Sequence, residues 1–202
     1  MRLSLGLFPF ALCFPCLALA ELPADEQTAG FVELFNGKDF TGWRFGQESP
    51  PKEIPTNWKV EDGVIKVLGG GKPNLATAQE FGDFELRLEW RGAVPNKGYN
   101  SGLFIRSGKN VGANQLNLAK GSEGNFINGK VEGAKPVGDL QKPAGEWNEW
   151  RITALGDKLS FTCNGKSAYE ATGLKPAKGY IGLQAEGAHM EFRNLRIREI
   201  KP

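Results

Sequence analysis

The chain has 202 residues, with 25 Lys and Arg against 23 Asp and Glu and a formal net charge of +2. That length suits one domain burying about 70% of its unfolded surface, and the interspersed charges form no basic stripe to neutralise phosphates, so nucleic acid is excluded as the expected partner. One histidine and three cysteines exclude a His-rich zinc site and a disulfide framework.

At the start, Arg2 precedes an apolar run over residues 3–20 that closes in Ala18-Leu19-Ala20, after which the chain turns polar at Glu21. This pattern predicts a cleaved export signal over residues 1–20. Pro9 and Pro15 interrupt the run, and about 18 residues is marginal for a retained membrane anchor. Cleavage after Ala20 removes Cys13 and Cys16. The mature chain then keeps only Cys163, forms no internal disulfide, has no stable membrane span and is expected in the periplasm or outside the cell. Residues 21–29 read as a flexible N-terminal segment and residues 30–202 as a single domain.

From there nearly every periodic segment has period two. Trp58-Lys59-Val60 and Val64-Ile65-Lys66-Val67 flank Asp62-Gly63, and Leu159-Ser160-Phe161-Thr162 and Ser167-Ala168-Tyr169 flank Asn164-Gly165. Both dipeptides accept the positive backbone angles of a type I′ turn, so each pair reads as a hairpin. Further strands fit residues 75–79, 84–90, 103–107, 115–119, 150–155, 180–185 and 190–200, the last two joined by a short connection. Some ten or more strands with frequent turns predict an all-β, two-sheet antiparallel β-sandwich. Gly69-Gly70-Gly71-Lys72 reads as a loop, since no helix pattern follows to aim amides at a phosphate. Residues 46–57, with three prolines, and residues 120–146, rich in glycine, are long irregular stretches of the kind that rim binding sites.

Alternation separates core from polar faces. In residues 84–90 the apolar set points inward while Glu85, Arg87 and Glu89 share the other face; in residues 114–118 Gln115 and Asn117 share a face; Arg106 is in phase with Phe104, and Gln184 with Glu186. The rival reading is an ordinary solvated face. Arg, Asn, Gln and Glu beside tryptophan are what a hydroxyl-rich ligand needs, because they supply paired donors and acceptors and a flat apolar surface. Trp43, Trp58 and Trp147 are candidate platforms, with core packing as the competing reading.

Five blocks carry a family resemblance: FVELFNGKDFTGW (residues 31–43), GDFELRLEWR (82–91), NSGLFIR (100–106), GEWNEWRI (145–152) and GYIGLQAEGAHMEFRNLRIREI (179–200). In this order they resemble the 3-keto-disaccharide hydrolase domain family. The resemblance implies a concanavalin-like jelly roll and cleavage of glycosides whose sugar is oxidised to a ketone at C3. A C3 ketone acidifies the C2 hydrogen, so a base can remove it, an enolate forms, the C1 substituent leaves and water adds back.

The chain departs from that family in two places. Gln115 stands where many members carry a glutamate, with Asn117 at their glutamine, and Ala185-Glu186 follow Gln184 where many have Asp-His. An amide cannot act as a base, so that role passes to Glu186 or Glu89, with Arg106 at the ketone oxygen. Arg87, Asn100, Gln115, Asn117, Gln184, Trp58 and Trp147 are then the substrate-binding candidates. Ligands are a small molecule or oligosaccharide. No metal site and no cofactor are called for, a loosely held divalent cation being the one metal this chemistry leaves open. Two functions follow: an exported hydrolase or lyase of 3-keto-glycosides, or a non-catalytic carbohydrate-binding jelly roll.

Overall fold

A computed structural model describes residues 22–46, 51–187 and 189–201; the expected export signal lies outside the described residues. The strands in chain order are β1 (Val32–Glu33), β2 (Trp43–Phe45), β3 (Trp58–Glu61), β4 (Val64–Val67), β5 (Leu75–Thr77), β6 (Phe84–Gly92), β7 (Gly102–Ser107), β8 (Gln115–Asn117), β9 (Phe126–Ile127), β10 (Asn148–Leu155), β11 (Lys158–Cys163), β12 (Lys166–Thr172), β13 (Tyr180–Leu183) and β14 (Met190–Glu199). They form two antiparallel sheets: β12-β11-β10-β6-β14-β4-β3 with β1 paired to β14, and β2-β5-β13-β7-β8-β9. This is the expected all-β jelly-roll sandwich.

Both predicted hairpins are present. Asp62 and Gly63 have φ of 53° and 74°, and Asn164 and Gly165 have φ of 50° and 77°, the angles a type I′ turn requires. The connection after β13 behaves differently: β13 belongs to the six-stranded sheet and β14 to the eight-stranded one, so the two strands lie in different layers instead of pairing with each other. β14 also slips register between Arg193 and Arg196. The reason is visible in its side chains, because Phe192 and Leu195 are both buried although three residues apart. A bulge with Asn194 at φ 51° absorbs the extra residue.

The inner faces meet in one core. Trp90, Trp150, Phe161 and Tyr169 stack in sequence with centroids about 5 Å apart, each pair contributing roughly 0.5–1.5 kcal/mol beyond the area buried. Residues 120–146 close one side of the sandwich: β9 extends the edge of the six-stranded sheet, and Glu132 bridges to Thr172 of β12 on the other sheet. The segment before β1 is not a loose lead-in. It holds a short helix, α1 (Ala24–Thr28), whose Glu26 is only 5% exposed and is clamped between Arg87 and Arg196.

Candidate functional site

The polar side chains singled out from the sequence fall on two faces that point in opposite directions. Glu85, Arg87 and Glu89 of β6 lie on the outer face of the eight-stranded sheet, whereas Gln115, Asn117 and Gln184 lie on the outer face of the six-stranded sheet. Only one can carry the site as a unit.

The eight-stranded face is a ladder of matched charges. Arg193 Nε donates to Glu89 Oε2 at 2.8 Å and Asn194 Nδ2 to Glu89 Oε1 at 2.7 Å. Arg87 binds Glu85 at 2.7 Å and Glu26 at 2.8 Å, and Arg198 binds the second oxygen of Glu85 at 2.7 Å. Trp147 lies in this layer as well, half-buried, with the Arg91 and Arg193 guanidiniums 4.6 and 4.0 Å from its ring centre. Both Glu89 oxygens already accept from Arg193 and Asn194, and the Trp147 ring is flanked by two guanidiniums at the rim of an open cavity that Glu89, Glu149 and Arg193 also line. Glu89, Arg87 and Trp147 therefore belong to a cross-strand ion-pair surface.

The six-stranded face is different in kind. Its register places Gly102 opposite Asn117 and Phe104 opposite Gln115, while Gln184 reaches β7 through its backbone N–H to Gly102 O at 2.9 Å. Gln115 is buried, 2% exposed. Its Nε2 donates to Gln184 Oε1 at 2.9 Å, and its Oε1 accepts from Asn128 Nδ2 at 3.0 Å. The three amides form one continuous row across β13, β8 and the end of β9. The row crosses Gly102 closely: a Cβ there would overlap the Gln115 side chain, so glycine is what lets the amide lie flat on the sheet. Asn117 Nδ2 donates to Ser122 Oγ at 2.8 Å, which ties the residue 120–146 segment to the same face. Gln184, Ala185 and Glu186 are half-buried, buried and half-buried in turn, so Glu186 is in phase with Gln184. Among the described residues Glu186 has no ion-pair partner. Asn100, likewise half-buried, precedes Gly102 in phase on this side.

Three of the expected site residues are placed elsewhere. Trp58 is 2% exposed in the core with its Nε1 donating to Pro73 O at 2.9 Å, and Trp43 is fully buried, so neither is a platform. Arg106 is 0% exposed. Its Nε donates to Gly82 O at 2.9 Å, Nη1 to Gly156 O at 2.5 Å and Nη2 to Asp83 Oδ1 at 2.7 Å; burial pulls its pKa below the ordinary arginine value, with Asp83 opposing. At φ 43° it leaves the alternation that put it in phase with Phe104. It is also at the wrong end of the sheet. Tyr180 pairs with Ser107, and Glu186 lies six residues beyond Tyr180, so about 20 Å of extended chain separates the two. Arg106 and Glu186 do not share a pocket.

Sequence reasoning missed Asn128, because its strand is two residues long and has no periodicity to read. It also missed Asn74, whose Oδ1 accepts from Ala185 N at 3.1 Å and whose Nδ2 donates to Val111 O at 3.1 Å. Both are asparagines in loops, which as a class are too common to signal a site.

A family model described as the 3-keto-alpha-glucoside-1,2-lyase-like domain matches residues 30–198. A 3-keto-disaccharide hydrolase of Bacteroides thetaiotaomicron is 26% identical, aligned over 88% of this chain and 80% of its own. Among solved structures, a candidate glycosyl hydrolase from Parabacteroides distasonis superposes with a TM-score of 0.68 at 21% identity, covering 90% of this chain and 99% of that one. A β-glucanase of Bacillus licheniformis gives 0.57 at 15% over 87% and 100%. A carbohydrate-binding module of Bacillus subtilis gives 0.55 at 16% over 78% and 96%. At these identities the structural likenesses are likenesses of fold.

Proposed function

The chain belongs to the 3-keto-alpha-glucoside-1,2-lyase-like domain family, and from that premise we propose that it is an exported carbohydrate-active protein that cleaves 3-keto-glycosides on the outer face of its six-stranded sheet. The observation that carries this reading is the amide row of Gln184, Gln115 and Asn128 with the carboxylate of Glu186, which has no ion-pair partner among the described residues, in phase beside it. The buried Gln115 spends both ends of its amide on its neighbours and holds the row together, while Gln184 Nε2 and Asn128 Oδ1 at the two ends are the donor and acceptor that face a sugar's hydroxyls and ketone. Glu186 removes the C2 proton. The electron pair moves into the C2–C3 bond and the ketone oxygen gains charge, which neighbouring N–H donors stabilise. The C1–O bond then breaks as the departing oxygen takes the proton now on Glu186, leaving a C1–C2 double bond conjugated to the ketone, and water adding across that double bond, its OH to C1 and its proton to C2, completes a net hydrolysis. No resident cofactor enters this sequence.

A second reading is favoured by one observation. Gln115, at the centre of the row, cannot accept a proton, so the same face would bind a keto-sugar without cleaving it if Glu186 stands too far from C2. Product analysis after incubating the chain from Glu21 with a 3-keto-disaccharide separates the two, with calorimetry on the same sample reporting binding. Turnover that falls by about 10² or more in Glu186→Gln while affinity holds supports catalysis by that carboxylate. Binding without turnover in the unsubstituted protein would establish the binding module instead.

A further inference from the structure

The outer face of the eight-stranded sheet carries an open cavity of about 520 Å³, within the roughly 300–1,000 Å³ range of small-molecule sites. Its floor is one register row, in which Arg193 of β14, Glu89 of β6 and Glu149 of β10 stand side by side. Two carboxylates directly opposite each other on neighbouring strands repel, yet each here has its own arginine. Arg193 holds Glu89 at 2.7 Å, and Arg151 holds Glu149 at 3.0 Å. The floor is therefore charged but balanced. Glu89 Oε1, which accepts from Asn194, and Glu149 Oε2, which accepts from Arg151, each take one hydrogen bond among the described residues and keep a second lone pair.

The walls are built from two loops. Trp147 and Lys142 form one, and the Asn164-Gly165 turn forms the other. Asn148, 1% exposed, fastens both. Its Oδ1 accepts from Lys142 N at 2.8 Å and Asn164 Nδ2 at 2.9 Å, and its Nδ2 donates to Lys142 O and Glu146 O, each at 3.3 Å. A buried amide spent wholly on the two walls fixes the shape of the cavity before any ligand arrives, which lowers the ordering cost of binding. Lys142 Nζ donates to Trp147 O at 3.1 Å and has two further N–H groups to offer. Arg91 and Arg193 rise from the same sheet face, so their guanidiniums, 4.6 and 4.0 Å from the Trp147 ring centre, support the indole from the sheet side while the half-buried ring lines the cavity.

We propose that this cavity is a second binding site, taking a neutral, unoxidised oligosaccharide. Compensated charges give an ionic ligand little to gain, whereas a flat ring with lone pairs and N–H groups beside it suits hydroxyls on an apolar frame. One sugar ring lies against Trp147, its hydroxyls donating to Glu89 Oε1 and Glu149 Oε2 and accepting from Lys142 Nζ. The cavity is on the face opposite the amide row, so this site is separate from the cleavage proposed above and does not depend on it. A glycan held here anchors the protein without occupying the six-stranded face.

The test uses the chain from Glu21, with maltohexaose and cellohexaose as probes. Of the five tryptophans, Trp43, Trp58, Trp90 and Trp150 are buried, so acrylamide quenching of the native fluorescence reports on Trp147. The expected result is that a hexaose protects Trp147 from acrylamide, and that its calorimetric affinity falls about tenfold or more in Trp147→Ala but stays within about threefold in Trp147→Phe, which keeps a ring on the two guanidiniums. Lys142→Ala, at an exposed position where folding is not at stake, should weaken the hexaose as well. The 3-keto-disaccharide should bind alongside the hexaose without competing. Absence of protection by both hexaoses, or a hexaose affinity that neither alanine variant changes, overturns the second site and leaves the keto-glycoside reading intact. Competition between the two sugars overturns it too, because they would then share one site. A protein that cleaves no 3-keto-disaccharide yet shows the protection and the Trp147 dependence keeps the second site while the keto-glycoside reading fails.

Discussion

Replacing Arg106 by Met should cost the fold and spare the ligand. The guanidinium is fully buried and joins the end of β7 to two turns of the other sheet through Gly82 O, Gly156 O and Asp83. Breaking a buried ion pair by removing one partner costs roughly 3–5 kcal/mol. The Asp83 side chain is 33% exposed and keeps the Gly156 N–H at 2.9 Å, so water takes up part of the orphaned charge and the lower end, about 3 kcal/mol, applies. For a chain of this size that is a fall in Tm of about 6–12 °C. Arg106→Lys should recover little of it, because one ammonium cannot span acceptors on two separate turns. Differential scanning calorimetry gives the Tm, and titration of a 3-keto-disaccharide at 15 °C, where the variants stay folded, gives the affinity. A Tm change under about 2 °C would refute the strut. Lost affinity with an unchanged Tm would make Arg106 a ligand contact and move the site to the other end of the sheet.

Burial alone would raise the Glu26 carboxyl, but the Arg196 and Arg87 guanidiniums outweigh it and hold the pKa below the ordinary 4.5. Its stabilisation is thus fully present above that value and is lost as pH falls through the lower folded-state pKa. In urea titrations Glu26→Gln should therefore destabilise by about 2 kcal/mol at pH 7 and by much less at pH 3; an equal loss at both would show that the charge is irrelevant. Trp147→Ala, on the eight-stranded face, should leave 3-keto-disaccharide affinity within about twofold, and a loss above about tenfold would put that ligand on that face. Burial pushes the Cys163 thiol up to about 11, so a thiol reagent at pH 8 should leave the folded protein untouched and find one thiol per chain after unfolding if residues 1–20 are removed. Rapid native labelling would contradict the buried position, and three thiols would contradict cleavage.

Much of this molecule could be read locally. Strand positions, inward and outward residues and the turns at Asp62-Gly63 and Asn164-Gly165 depend on neighbours within a few residues, and the structure has them where period two and turn chemistry place them. The slip in β14 was not part of the period-two reading of residues 190–200 and shows only in the structure, where Phe192 and Leu195 are both buried. Glu85, Arg87 and Glu89 on one side of β6, and Gln115 and Asn117 on one side of β8, were likewise sorted correctly within their own strands.

Which sheet each strand joins was not legible, and the site depends on it. Alternation is the same whether a strand lies in one layer or the other, so two polar stripes that both supply candidate site residues prove to face opposite ways. The assignment rests on pairings across long stretches of chain, such as Gln115 with Gln184, 69 residues apart, or Glu89 with Arg193, 104 apart. Arg106 failed for a related reason: its alternation was broken by a positive φ and by carbonyls on turns 24 and 50 residues away. Period and turn propensity are properties of short segments, and they determined the strands; the shared face of Gln184, Gln115 and Asn128 exists only where distant backbones hydrogen-bond in one register, which tertiary structure alone decided.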